Sequence, residues 1–230
     1  MNLFYVKPED VQGEVIKIRD QELKHAVKVM RLKAGDHIDV TDGMGQLYHC
    51  EIISLAKNNG DLRVLDSQKE SRELPEIVLC IGILKKRDRL EFAVEKAVEL
   101  GVNKIVVFRG DHSEKKNVRS DRLENTVLAA MKQSLRTYLP EIELEETLQS
   151  ALAKADKETA IVLADQETTS QNISGSSNSY FLVVGPEGGF SPQETDILKS
   201  IDAISYSLGS KRLRTETAAV IMADRFRNIK

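Results

Sequence analysis

The stretch Tyr180-Phe181-Leu182-Val183-Val184-Gly185-Pro186-Glu187-Gly188-Gly189-Phe190-Ser191-Pro192-Gln193-Glu194 decides the fold class. Its first five residues are an apolar run, the pattern of a strand covered on both faces. Ser191-Pro192-Gln193-Glu194 is a capping box with proline at the first helical position. It predicts a helix running to about Ser200. Between the two lies a loop whose glycines let the backbone turn sharply and approach a ligand closely. A buried strand that passes through a short loop into a helix is one unit of an α/β sheet.

The same unit recurs outward from this stretch. Ile77–Leu84, Lys104–Phe108, Thr159–Ala164 and Ala203–Leu208 are further apolar strands. Arg89–Leu100, ended by Gly101, Asp121–Tyr138, stopped before Pro140, and Thr215–Arg227 are helical in pattern. The alternation predicts a mostly parallel sheet with helices on both faces over residues 73–230. Thr168–Ser179 is rich in Ser, Thr and Asn and reads as a flexible loop.

Residues 1–72 differ. Phe4–Val6, Glu14–Ile18, His37–Thr41, Leu47–Ser54 and Leu62–Asp66 are short strand candidates separated by turn signals such as Asp42-Gly43 and Asn59-Gly60. Such spacing predicts a small β-barrel. One helix interrupts it, with Asp20 as N-cap and Leu23, Ala26, Val27 and Met30 as its apolar stripe. Ser67–Glu73, ending before Pro75, reads as a linker.

Composition narrows the function classes. The 230 residues are 41% hydrophobic and 30% charged, with a net charge of −3, so any nucleic-acid surface must be a local patch. Cys50 and Cys80 are the only cysteines, too few for a disulfide framework. The N-terminal stretch lacks a signal-peptide core, and no apolar run approaches the roughly 18 residues of a membrane span. A cytoplasmic protein is expected. His25, His37 and His49 lack metal-ligand spacing, and no metal is expected.

In parallel sheets, ligands bind outside the carboxyl ends of the strands. Gly185–Phe190 and Leu208-Gly209-Ser210-Lys211-Arg212-Leu213-Arg214 lie at such ends. They are ligand-binding loops or simply tight turns before helices. Neither is a Walker A loop or a Gly-x-Gly-x-x-Gly turn, which disfavours a phosphate cradle or a dinucleotide. Arg212 and Arg214 suit a phosphate or an electron-rich base. Thr215 or Thr217 can cap the last helix, and Glu216 suits its first turn. Lys85-Lys86-Arg87-Asp88-Arg89 is either a solvated charge run or a contact for a nucleic-acid backbone. Asp111-His112-Ser113 resembles a hydrolytic triad only superficially, because no Gly-x-Ser-x-Gly elbow accompanies it.

Gly185–Ser191, Leu208-Gly209 and Leu213-Arg214-Thr215-Glu216-Thr217-Ala218 resemble the paired C-terminal signatures of the RsmE family, the 16S ribosomal RNA uridine-N3 methyltransferases of the SPOUT superfamily. In the same order, His25 and Arg31 with Gly35-Asp36, Glu95-Lys96 with Glu99-Leu100-Gly101-Val102, and Gln133-Ser134 with Arg136 and Pro140 resemble that family's other motifs. Arg212, where the family usually has Ile, and His112-Ser113, where Arg-Ser is common, depart from the pattern.

The resemblance implies a PUA-like, RNA-binding barrel over 1–72 and a trefoil-knotted α/β methyltransferase domain over 73–230. It implies a homodimer acting on the decoding region of 16S ribosomal RNA or the small ribosomal subunit. S-adenosylmethionine would be held by Leu163, Gly185, Pro186, Glu187, Gly188, Leu208, Gly209 and Leu213. His25, Arg31, Lys85, Lys86, Arg87, Arg136 and Arg212 would meet RNA. Arg214 would sit beside the methyl donor as the cation that helps a deprotonated uridine. Glu216 would accept a proton or serve only the helix start. Competing readings are a ribose 2′-O-methyltransferase of the same superfamily and a non-catalytic RNA-binding assembly factor.

Overall fold

The structure is a computed structural model and describes residues 2–114, 118–171, 173 and 177–229. Of the polar stretch 168–179, residues 172 and 174–176 lie outside the described residues. The chain divides into two units: Met1–Arg72 with Met131–Leu139, and Glu73–Ala130 with Pro140–Lys230.

In the first unit β1 (Leu3–Tyr5), β2 (Val11–Gln12), β3 (Val15–Arg19), β4 (His37–Thr41), β5 (Gln46–Leu55) and β6 (Asn59–Lys69) form one sheet in the order β1-β4-β5-β6-β3-β2. Among the described residues its end strands do not pair, so the sheet is a half-barrel. It curls around Phe4, Ile16, Ile18, Val40, Cys50, Ile52 and Leu62, all fully buried. The last residues of β6, Ser67–Lys69, pair with Gln46–Tyr48, so the first three residues of the expected linker are strand. Its outward side chains are polar, and backbone pairing does not show in composition.

Two details of the first helix differ from expectation. Arg19, in extended conformation, holds the N-cap position of α1 (Asp20–Lys24), and no side chain caps it. Asp20 is instead its first residue, with φ of 48°, a left-handed value that aspartate tolerates better than most residues. The helix then continues as a wider π turn over His25–Val29. That widening shifts the stripe: Leu23 and Ala26 are buried, while Val27 is 42% exposed.

In the second unit β7 (Glu76–Gly82), β8 (Lys104–Phe108), β9 (Glu141–Glu145), β10 (Ala160–Ala164), β11 (Ser179–Val184) and β12 (Ile204–Tyr206) form an all-parallel sheet in the order β12-β10-β11-β7-β8-β9. Its helices are α2 (Arg87–Glu99), α3 (Ser120–Gln133) up to Ala130, α4 (Leu148–Leu152), α5 (Pro192–Ser200) and α6 (Thr215–Arg227). One face buries Cys80, Val106, Phe181 and Val183 against Leu148 and Ala151 of α4 and Leu198 of α5. On α6, Phe226 meets Tyr180 of β11 and Tyr206 of β12 edge-on, with ring centroids 5.0 and 5.2 Å apart. Burial on both faces explains the near-continuous apolar runs.

The helix expected over Asp121–Tyr138 ends at Gln133. Leu135 has φ of 58°, and beyond it Tyr138 bridges Met44 in the first unit's own cluster. Thr137 accepts from the Gly45 N–H at 2.9 Å and donates its hydroxyl to Glu70 at 2.6 Å. These non-local bonds replace the last helical turn. The capping box at Ser191 and Glu194 is present in full. On α6, Arg214 holds the N-cap position without a side-chain cap, and Thr215 lies inside the helix with Thr217, so neither threonine caps it.

Candidate functional site

The register aligns four strand ends. Val184 of β11 pairs with Ile81 of β7, Leu163 of β10 with Val183 of β11, and Ala164 of β10 with Tyr206 of β12. The loops that leave these ends therefore share one edge of the sheet, where side chains and backbone amides are free of the ladder.

A cleft of about 750 Å³ opens among three of these loops. Residues 163–167 form one wall, 184–190 the second, and residues 208–209 and 211–215 with Ser205 and Ala218 the third. Its volume lies in the range of small-molecule sites. Leu163, Val184, Pro186, Leu208 and Leu213 give it apolar walls; Asp165, Glu167 and Glu187 place carboxylates on it, and Lys199, Lys211, Arg212 and Arg214 place cations.

The 185–190 loop is clamped from several sides. The Gly189 N–H donates to the Pro186 carbonyl at 2.9 Å, closing a turn in which Gly189 has φ of 72°. Gly188 approaches His112 so closely that a Cβ would lie 2.7 Å from the His112 Cβ. The His112 Nδ1 lies 3.1 Å from the Gly188 carbonyl. Ser191 donates to the Asp111 carboxylate at 2.6 Å, and the Asp111 N–H donates to Glu194 at 3.2 Å. The Lys85 N–H donates to the Glu187 carboxylate at 3.1 Å. The Asp111-His112-Ser113 segment is thus a brace for the glycine loop.

The third wall is shaped by Gly209, whose φ of 119° favours glycine, and by Ser207, whose hydroxyl accepts from the Gly209 N–H at 3.3 Å. Arg214 lines the cleft with its side chain largely exposed. Glu216 does not line it. Its carboxylate is buried, with Oε1 3.5 Å from Arg89 and 4.0 Å from Arg214.

The eight residues expected to hold a cofactor, Leu163, Gly185, Pro186, Glu187, Gly188, Leu208, Gly209 and Leu213, all line this cleft, together with Arg212 and Arg214. Lys85 and Lys86 end the connection from β7 to α2 and Arg87 begins α2, all three exposed. Lys85 pairs with Glu114 at 2.7 Å, which holds its ammonium above the usual lysine range, and Arg87 pairs with Glu91 at 3.2 Å. His25, Arg31 and Arg136 belong to the other unit. Arg31 is exposed, and the His25 ring faces Phe4 with centroids 5.8 Å apart.

Several participants went unforeseen. Asp165, Gln166 and Glu167 line the cleft, between the expected strand end at Ala164 and the polar loop expected from Thr168. They follow a strand's carboxyl end, which was the available signal. Gly82 and Gly110 both pack on Pro186, a relationship between distant segments that no local pattern carries.

The cleft can receive a nucleoside-sized ligand bearing positive charge. Apolar walls suit a base, carboxylates suit a cation, and glycines at 185 and 188 bring backbone groups close. S-adenosylmethionine, an adenosine with a sulfonium and an ammonium, fits that donor set.

Comparison with known proteins gives the same direction. Residues 72–227 match the family model described as an RNA methyltransferase domain, and residues 18–65 match that of an RNA methyltransferase PUA domain. The chain is 32% identical to ribosomal RNA small subunit methyltransferase E of Rickettsia conorii, over 95% of this chain and 92% of that protein. It is 30% identical to the protein of the same name from Bacillus subtilis, over 92% and 89%. The crystal structure of a ribosomal RNA small subunit methyltransferase E from Neisseria gonorrhoeae, bound to S-adenosyl methionine, superposes with a TM-score of 0.86 at 28% identity, covering 98% of this chain and 97% of that one.

Proposed function

This chain belongs to the RsmE family of ribosomal RNA small subunit methyltransferases, and on that premise we propose that it methylates N3 of a uridine in the decoding region of small-subunit ribosomal RNA. It is an S-adenosylmethionine-dependent enzyme, and the observation that carries the site assignment is the three-loop cleft at the carboxyl edge of the parallel sheet. In this reading Leu163, Gly185–Gly188, Leu208, Gly209 and Leu213 hold the methyl donor, which supplies an electrophilic methyl group. The half-barrel unit, through His25, Arg31 and Arg136, and the Lys85–Arg87 connection hold RNA phosphates. The partners are the small-subunit RNA and a second copy of this chain, and the compartment is the cytoplasm. The chain path through the cleft loops would carry the trefoil knot of the superfamily.

The chemistry required of the protein is placement and charge control. Uridine N3 lies on the pairing edge, so the base must be unpaired or extruded. As the N–CH3 bond forms and the S–CH3 bond breaks, the N3 proton must leave. Arg214, exposed on the cleft wall, stabilises negative charge developing on the uracil ring. Glu216 lies outside the cleft lining, so in this reading the N3 proton leaves to water rather than to that carboxylate.

The test is methylation of small subunits lacking the modification, using purified protein and S-adenosylmethionine, followed by mass spectrometry of the nucleosides. N3-methyluridine is expected. A 2′-O-methylated nucleoside, or no product with intact cofactor binding, would overturn the assignment.

A further inference from the structure

We propose that Arg89 is a positioning residue for methyl transfer: it neutralises Glu216 and thereby leaves the Arg214 guanidinium free to serve the cleft. The proposal rests on the methyltransferase reading above. Both guanidinium groups face the same Glu216 oxygen, Arg89 at 3.5 Å and Arg214 at 4.0 Å. Their surroundings differ. The Arg89 side chain is 25% exposed and the Glu216 side chain 10%, whereas that of Arg214 is 68% exposed. Arg89 lies outside the cleft lining and Arg214 inside it. The other carboxylate oxygen of Glu216 is buried with no hydrogen-bond partner among the described residues.

Arg89 also sits where a helix least favours a cation. It is in the first turn of α2, whose dipole opposes positive charge there. Arg87, in the same turn, turns to Glu91 near solvent. A residue placed against a local rule marks a functional constraint. The segment from Lys85 into the first turn of α2 reaches both cofactor loops: the Lys85 N–H holds Glu187 of the first, and Arg89 holds Glu216 just beyond the second.

A buried carboxylate left without a cation is strongly unfavourable. If Arg89 is removed, Glu216 draws Arg214 inward to replace it, and the cleft loses its cation. The loss is therefore reversible by neutralising Glu216. Additive damage is what a merely structural pair produces.

The experiment compares the full-length protein with Arg89→Ala, Arg89→Lys, Glu216→Gln and the double variant Arg89→Ala/Glu216→Gln. Turnover at saturating RNA is expressed per cofactor site titrated by calorimetry, which removes any unfolded fraction. Arg89→Ala should lower kcat about tenfold to a hundredfold, the scale of a misplaced catalytic group. Its S-adenosylmethionine Kd should stay within about twofold, since Arg89 does not touch the cleft. Arg89→Lys should keep most of kcat, and the double variant should recover at least half of the logarithmic loss. Arg89→Gln replaces Arg89→Ala if the latter does not fold. A double variant no better than Arg89→Ala overturns the proposal, as does Arg89→Ala with wild-type kcat. Nitrogen-15 spectra of arginine side chains need no turnover: Arg214 Nε–H should become ordered in Arg89→Ala and mobile again in the double variant. An unchanged Arg214 signal also overturns the proposal. A wild-type enzyme that binds cofactor but transfers no methyl group would instead sink the reading on which it rests.

Discussion

Gly82, at the end of β7, packs so closely on Pro186 that a Cβ on Gly82 would lie 2.6 Å from both the Pro186 ring Cδ and its backbone nitrogen. The strand end thus seats the glycine loop directly, without an intervening side chain. Neither atom is the tip of a flexible group, so an added methyl must move the loop. Gly82→Ala should destabilise the protein by about 1–3 kcal/mol, the usual cost of overpacking. It should also weaken S-adenosylmethionine binding several-fold. Thermal unfolding and calorimetry check the pair, and normal values for both would refute the seating role.

Glu143 of β9 offers a pH-dependent prediction far from the cleft. Hydrogen bonds from Lys104 at 2.7 Å and Lys154 hold its carboxyl below the usual glutamate range. A depressed folded-state pKa stabilises the fold above the unfolded pKa of about 4.3 and stops doing so as pH falls through the folded value. Glu143→Gln should therefore lower Tm at pH 7, by the equivalent of roughly 0.5–1 kcal/mol for partly exposed ion pairs. The gap from wild type should close below about pH 4. A gap that persists unchanged in acid would contradict the ion-pair explanation.

Both thiols should be inert in the native protein. Cys50 and Cys80 are fully buried, and burial pushes the Cys50 thiol up to about 12 and Cys80 well above its ordinary value. Since the thiolate is the reactive form, an aromatic disulfide reagent at pH 8 should find almost no thiol until denaturant is added. Rapid labelling of the folded protein would show that one of these cores opens readily.

Binding to small-subunit RNA should weaken as salt rises, because the proposed contacts are to phosphates. Arg31→Ala and Lys86→Ala should each weaken binding and reduce the slope of log K against log salt by about one. Filter binding across a salt series measures this. Slopes identical to wild type in both variants would remove these residues from the RNA surface.

The strand–loop–helix at 180–194 was legible because each of its signals is local: an apolar run, two glycines and a capping box. The same holds for β8 and α6, whose patterns lie within a few turns. What escaped was set by distant partners. The end of α3 at Gln133 depends on Leu135 adopting a left-handed conformation and on Thr137 bonding to Gly45 and Glu70. Strand β9 alternates glutamates with Ile142 and Leu144 at a sheet edge, where its charges pair with Lys104 and Lys154. Within the site, the glycine loops and their flanking leucines were readable, as was Arg214. Gly82 and Gly110 were not, since their constraint is the approach of Pro186, far away in sequence from both. Arg89 was hidden in a charge run whose members face different partners.

The identity of the cleft's ligand decides the function of this protein. Photocrosslinking of methyl-labelled S-adenosylmethionine to the purified protein, followed by peptide mapping, addresses it. Label should appear in peptides carrying residues 163–167, 185–190 and 208–214, and excess unlabelled cofactor should suppress it. Label confined to peptides outside these three loops would contradict the assignment of the cleft.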